Sequence, residues 1–211
     1  MSIEIKMLTL GMVSTNAYIV GDTETKEALV IDPVDNAPAL KKVADEAGWE
    51  IKLILATHAH FDHVLASKEL KELSNAPFWI HEDCVPMLET LSIQGKLFGL
   101  GQFPEAAKVD RLLSSESEIL KLGAIKLETL YTPGHAPGHL SFYMRDHKIV
   151  FSGDTLFFSS IGRTDLPGGD HELLLKSIHE QLLTLDDDVR VLPGHMQQTT
   201  IGIEREHNPF L

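Results

Sequence analysis

Residues 57–63 read Thr-His-Ala-His-Phe-Asp-His, which places His58, His60, Asp62 and His63 within six positions of one another. Neutral imidazole and carboxylate are the donors that zinc and other borderline divalent ions take. The run follows Ile51-Lys52-Leu53-Ile54-Leu55-Ala56, an apolar stretch with the length of a buried strand. Donors carried at the end of a rigid strand are oriented before an ion arrives, as a metal site requires.

Three later segments share this grammar. Leu127–Thr132 runs into Pro133-Gly134-His135, Lys148–Phe151 into Ser152-Gly153-Asp154-Thr155, and Val189–Leu192 into Pro193-Gly194-His195. Each is a weak signal alone, because Pro-Gly-His is more often a surface turn. Together His135, Asp154 and His195 raise the donor count to seven. One tetrahedral zinc takes four ligands, or three and a water when catalytic, so seven donors suit two metals sharing a carboxylate and a water. Such a pair brings a bridging hydroxide within reach of neutral pH and polarises a substrate carbonyl. Charge developing on the carbonyl oxygen then meets a fixed cation. No side-chain nucleophile is needed, and no Ser-His-Asp arrangement is evident.

The elements that must carry these donors follow from the pattern. Ile3–Leu10, Ala17–Gly21 and Ala28–Asp32 read as strands bounded by turn residues. Asn36–Ala47 has helical spacing in Leu40, Val43, Ala44 and Ala47, with Gly48 as a stop. After the strand Ile51–Ala56, a helix is predicted from about Asp62 to Leu73, and Phe78–His81 is a short strand. Residues 85–111 read as a helix followed by an irregular apolar loop containing Phe98 and Phe103. Such a loop packs over the core or serves as a substrate-side lid. Strands are predicted at Glu118–Leu122, Ile125–Leu130, Leu140–Arg145, Lys148–Ser152 and Val189–Leu192, and an amphipathic helix at Asp170–Leu185. The order implies sheets with helices packed outside them.

Composition narrows the class. At 43% hydrophobic and 23% charged residues, the chain has an ordinary globular composition, and its length suits a single domain over residues 1–211. No secretory signal or membrane-length apolar run is visible, and Cys84 stands alone, so a cytoplasmic location is the default expectation. The formal net charge of −13 argues against nucleic acid as the main partner. Two divalent ions would reverse the field locally, leaving a small anionic substrate open.

In its motif order, His58-x-His60-x-Asp62-His63, His135, Asp154 and His195, the sequence resembles the metallo-β-lactamase superfamily. It is more particularly similar to short glyoxalase II-like hydrolases, through Gly162-Arg163-Thr164-Asp165 and the tail from Pro193-Gly194-His195 through Glu204 to Asn208-Pro209-Phe210. The resemblance implies an α/β (α+β) fold, a four-layer αββα metallo-β-lactamase-like sandwich, and two divalent metal ions, zinc first, with iron or manganese as alternatives. It assigns His58, His60 and His135 to one metal and Asp62, His63 and His195 to the other, with Asp154 bridging. Asp62 is also the candidate to orient the attacking hydroxide or take its proton. Asp32 would accept a hydrogen bond that holds the histidine loop, or simply end a strand.

The implied reaction is hydrolysis of a small-molecule acyl thioester, S-lactoylglutathione in particular. A thiolate, with a parent pKa of about 8.5, leaves without much help from an acid. The helical carboxy-terminal domain that contributes basic glutathione contacts in longer relatives is not expected within residues 1–211. Arg163 either replaces that cation or pairs with Asp165. His139 reads as a supporting residue rather than a ligand. His81, His147, His171, His179 and His207 read as surface or cap residues, and Cys84 as packing. The rival readings are a mononuclear-iron persulfide dioxygenase, a lactonase or β-lactamase, and a non-catalytic metal-binding module.

Overall fold

A computed structural model of the chain describes residues 3–97 and 99–211; Phe98, expected in the apolar stretch after the 85–89 region, lies outside the described residues. The chain falls into two compact units. One runs to Leu113 and takes in Lys121–Ile125, and the other holds Ser114–Leu120 and Lys126–Leu211.

In the first unit, β1 (Ile3–Leu10), β2 (Thr15–Asp22), β3 (Glu27–Ile31), β4 (Glu50–Leu55), β5 (Phe78–His81) and β6 (Arg111–Leu113) form one six-stranded sheet in that order. β1 lies at its edge and is only half-buried, whereas β2 is buried along its length. The β1–β2–β3 pairs are antiparallel and the β3–β4–β5–β6 pairs parallel. Parallel neighbours need crossovers, and helices supply them. α1 (Ala37–Glu46) links β3 to β4, while α2 (Phe61–Val64) and α3 (Ser67–Ser74) link β4 to β5. α4 (Val85–Glu89) and α5 (Leu91–Leu97) precede β6. Leu40 and Ala44 of α1, Ile54 of β4, Leu70 of α3 and Phe78 of β5 share one apolar core.

The helix expected over 62–73 is broken in two. The Ala66 amide donates to the Pro33 carbonyl at 3.0 Å instead of continuing the helical ladder, and Ala66 leaves helical backbone geometry (φ −87°, ψ 2°). The tether to Pro33 is long-range, so helical periodicity could not reveal it.

The second sheet contains β7 (Ile119–Leu122), β8 (Ile125–Tyr131), β9 (Leu140–Met144), β10 (Ile149–Gly153), β13 (Arg190–Pro193) and β14 (Thr199–Thr200), ordered β14-β13-β10-β9-β8-β7. β11 (Leu156–Phe157) and β12 (Ser160–Ile161) make a small separate hairpin. α6 (His171–Ser177) begins at an Asp170 cap and passes into a π-helical turn over Ile178–Leu182, where the Leu183 amide donates to the Ile178 carbonyl at 2.8 Å. The expected helix over 170–185 is therefore shorter and changes its winding. α7 (Ile201–His207) closes the unit. Leu174, Ile178 and Leu182 pack with Val150, Val191 and Ile201. Among the described residues, no helix is long and apolar enough to cross a membrane.

Candidate metal centre

The first unit positions the contiguous motif from two strand ends. β4 stops at Leu55, and Ala56–His60 then run without regular structure into α2, with His60 as its cap. His58, Asp62 and His63 are buried and His60 is half-buried. Asp32 directly follows β3 in left-handed backbone geometry (φ 57°), and its amide donates to the Leu55 carbonyl at 2.8 Å. Its buried carboxylate accepts from the Thr57 amide (2.7 Å), the Thr57 hydroxyl (3.0 Å) and His63 Nδ1 (2.9 Å). One carboxylate thus grips both ends of the His-rich run. Because His63 Nδ1 donates to Asp32, Nε2 is the nitrogen with its lone pair available to a metal; it lies 3.4 Å from Asp62 Oδ2.

The His58 ring is held in the same manner. His58 Nδ1 lies 3.0 Å from the Thr57 hydroxyl, which itself donates to Asp32. His58 Nε2 is 2.9 Å from His60 Nδ1, and the His58 and His63 ring centroids are 4.1 Å apart. Asp62 Oδ2 accepts at 2.6 Å from the hydroxyl of Thr15, the buried first residue of β2. Imidazoles anchored from behind, together with a carboxylate, are the donor chemistry a divalent ion requires, so the residues present fit the expected metals.

In the second unit the three later donors converge on one another. Asp154 Oδ2 lies 3.5 Å from His135 Nε2 and 3.3 Å from His195 Nε2. One carboxylate oxygen thus lies within reach of two imidazole nitrogens, a spacing at which side chains can share an ion. The Gly194 amide donates to the Gly153 carbonyl at 2.8 Å, holding the ends of β10 and β13 side by side. His135 Nδ1 donates to the Arg163 carbonyl at 2.7 Å, which again turns Nε2 toward Asp154. Two glycines permit this closeness. A Cβ on Gly134 would collide with the Leu174 backbone, and one on Gly162 with the Asp154 carbonyl. The Phe157 ring meets His195 edge-on, with centroids 6.0 Å apart.

The remaining candidates resolve into supports. The Arg163 guanidinium is bound bidentately by Asp165 (2.6 and 2.7 Å), and this partner holds the Asp165 carboxyl down to about 2. His139 is fully buried, with both ring nitrogens hydrogen-bonded. His81 caps the short turn over Glu82–Cys84 by accepting from the Asp83 amide at 3.1 Å, but it is buried rather than at the surface, and that burial lowers its pKa. His147, His171, His179 and His207 are exposed. Cys84 is packed in the core, where desolvation pushes its thiol pKa far up. Sequence reasoning missed Thr15 and the Arg163 carbonyl. Thr15 lies 47 positions from Asp62, and a backbone carbonyl leaves no residue-type signal.

Residues 10–195 match the family model of the metallo-β-lactamase superfamily. Over 208 residues the chain is 41% identical to the hydroxyacylglutathione hydrolase GloC of Haemophilus influenzae, covering 98% of this chain and 97% of that one. The crystal structure of the B3 metallo-β-lactamase BLEG-1 superposes with a TM-score of 0.91 at 40% identity, covering 99% of both chains. That of TTHA1623 in a di-iron-bound form gives 0.87 at 37% identity, covering 98% of this chain and 100% of the other. The two helix-flanked sheets are those of this fold, and the chain belongs to the metallo-β-lactamase superfamily, whose members bind divalent metals.

Proposed function

We propose that this metallohydrolase-superfamily chain hydrolyses small acyl thioesters, with S-lactoylglutathione the leading substrate, using two divalent ions. The observation that carries the reading is Asp154 Oδ2 lying close to both His135 Nε2 (3.5 Å) and His195 Nε2 (3.3 Å). On this reading His58, His60 and His135 would hold one ion and Asp62, His63 and His195 the other, with Asp154 available to both. Zinc is the first expectation, and the di-iron form of TTHA1623 makes iron the chief alternative. When bound, the ions supply Lewis acidity and a water activated at neutral pH.

The chain's own residues supply position and proton handling. Asp32 and Thr57 fix the rings of His63 and His58, and Thr15 fixes Asp62. Asp62, held at Oδ2, orients the attacking water or receives its proton. The leaving thiolate needs no general acid, since its conjugate acid has a pKa of about 8.5. The 41% identity to GloC over almost the whole chain favours a thioester over other activated carbonyls. Arg163 can contact a substrate carboxylate only in competition with Asp165, so it is a secondary contact in this scheme.

The test is to count metals and measure turnover on one preparation. S-lactoylglutathione and other acyl thioesters are assayed beside a β-lactam, a lactone and glutathione persulfide, with oxygen uptake monitored. Two metals and thioester hydrolysis without oxygen uptake are expected. One iron with persulfide-dependent oxygen uptake would establish the dioxygenase instead. Bound metal with no turnover on the whole panel would leave a metal-binding module.

A further inference from the structure

Beneath the Asp154 turn lies a group of polar side chains that an apolar core does not require. Thr132, His139, Ser141, Ser152 and Thr155 are all fully buried. Burying hydroxyls and an imidazole costs free energy unless each is hydrogen-bonded. Here each is. Thr132 Oγ1 lies 2.9 Å from Ser141 Oγ and 2.9 Å from His139 Nδ1, and Thr155 Oγ1 lies 3.2 Å from the same nitrogen. Ser152 Oγ donates to the Leu156 carbonyl at 2.8 Å, and the Thr132 amide donates to the His139 carbonyl at 2.9 Å.

On the opposite side of the ring, the Asp154 amide donates to His139 Nε2 at 3.0 Å. A backbone amide can only donate, so Nε2 must present its lone pair. The ring is then neutral with its proton on Nδ1, which is donated to the Thr132 or Thr155 hydroxyl. With both nitrogens occupied, His139 is no metal ligand, even though its ring centroid lies 6.3 Å from that of His135.

We propose that His139 is a positioning residue for Asp154: the buried hydroxyls select its Nδ1–H tautomer, and Nε2 fixes the Asp154 backbone so that the carboxylate reaches between His135 and His195. The inference depends on Asp154 being a metal ligand, as argued above. A buried hydrogen-bonded network holds one geometry, which is what a carboxylate shared by two ions needs. Partners of ligands typically change metal affinity about tenfold to a hundredfold when removed.

The experiment uses the full chain, stripped of metal and titrated with zinc against a chelating indicator. His139→Leu removes the acceptor, whereas His139→Gln offers a side-chain carbonyl to the Asp154 amide. Wild type should bind two zinc ions. His139→Leu should retain its metal-free circular dichroism but bind zinc about tenfold to a hundredfold more weakly, with His139→Gln recovering much of the loss. Undiminished zinc affinity in His139→Leu overturns the inference while leaving the metal site standing. Wild-type protein that binds no zinc removes the metal reading and this inference together. Should His139→Leu fail to fold, nitrogen-15 NMR of the wild-type imidazoles decides. His139 must show a proton on Nδ1 and a metal-free Nε2 both before and after zinc addition. A proton on Nε2, or a zinc-shifted Nε2, overturns the proposal.

Discussion

Asp32 Oδ2 and His63 Nδ1 are 2.9 Å apart, both enclosed by protein, and the same carboxylate also holds the amide and hydroxyl of Thr57. Asp32 is therefore the member that joins the start of the histidine run to its end. Its left-handed backbone is an unusual conformation for a residue other than glycine, sustained by three hydrogen bonds to its side chain.

Asp32→Ala should remove the acceptor of all three hydrogen bonds at once. The Thr57 amide and the His63 ring would be left buried without that partner, a loss of about 1–3 kcal/mol for each group left unsatisfied. The expected result is a lower urea midpoint in the metal-free chain and about tenfold to a hundredfold weaker metal binding. Asp32→Asn should fall between, since its amide keeps the shape and offers one acceptor. Equal metal affinity in wild type and Asp32→Ala would remove the orienting role.

Thr15→Val preserves shape at the head of β2 and deletes the donor to Asp62 Oδ2. A hydrogen bond to a charged acceptor contributes about 1.5–3 kcal/mol, so denaturant melts should register a loss in that range. Thr15→Ser should restore most of it. If valine and serine behave alike, the 2.6 Å contact does not contribute to the stability of the fold.

Gly162→Ala should disturb the site without touching a donor. The new methyl would meet the Asp154 carbonyl and crowd His135 Nδ1, forcing apart the segment whose Arg163 carbonyl orients that ring. Overpacking of this kind costs about 1–3 kcal/mol. Thermal unfolding and metal stoichiometry on the same sample provide the check; unchanged values in both would show that the close approach is dispensable.

The thiol of Cys84 should resist alkylation while the chain is folded. Desolvation comes first and the Asp83 charge second in raising its pKa, so little thiolate exists at neutral pH. Labelling is expected only in denaturant. Rapid modification of the native chain at pH 7 would mean that this part of the first core opens readily.

The candidate donors were legible because chemistry and secondary structure coincide at them: each group follows an apolar strand, and Asp62 and His63 open the helix beyond it. The division of His58–His63, His135, Asp154 and His195 among four strand ends needed no long-range information. What holds the donors was mostly hidden. Thr15 and Asp62 meet across 47 positions, and Arg163 acts through its carbonyl. The helix over 62–73 was overextended because Ala66 turns its amide to Pro33, a contact between distant segments. β11, β12 and β14 have two residues each, too few to show an alternation, and α7 follows β14 without a break. His81 read as surface or cap, and it is a cap inside the core.

Glu204 in α7 is buried, and its carboxylate receives the Ser159 amide (2.9 Å), the Thr199 hydroxyl (2.6 Å) and the Asn208 side-chain amide (2.7 Å). Asn208 Nδ2 also reaches the Ser160 carbonyl at 3.1 Å. The closing helix thereby buckles down the little hairpin that leaves Asp154 and leads on to Gly162. Anyone splitting or grafting this scaffold must carry the segment beyond His195 along with it, because residues with no chemistry of their own hold the hairpin that follows Asp154 in place.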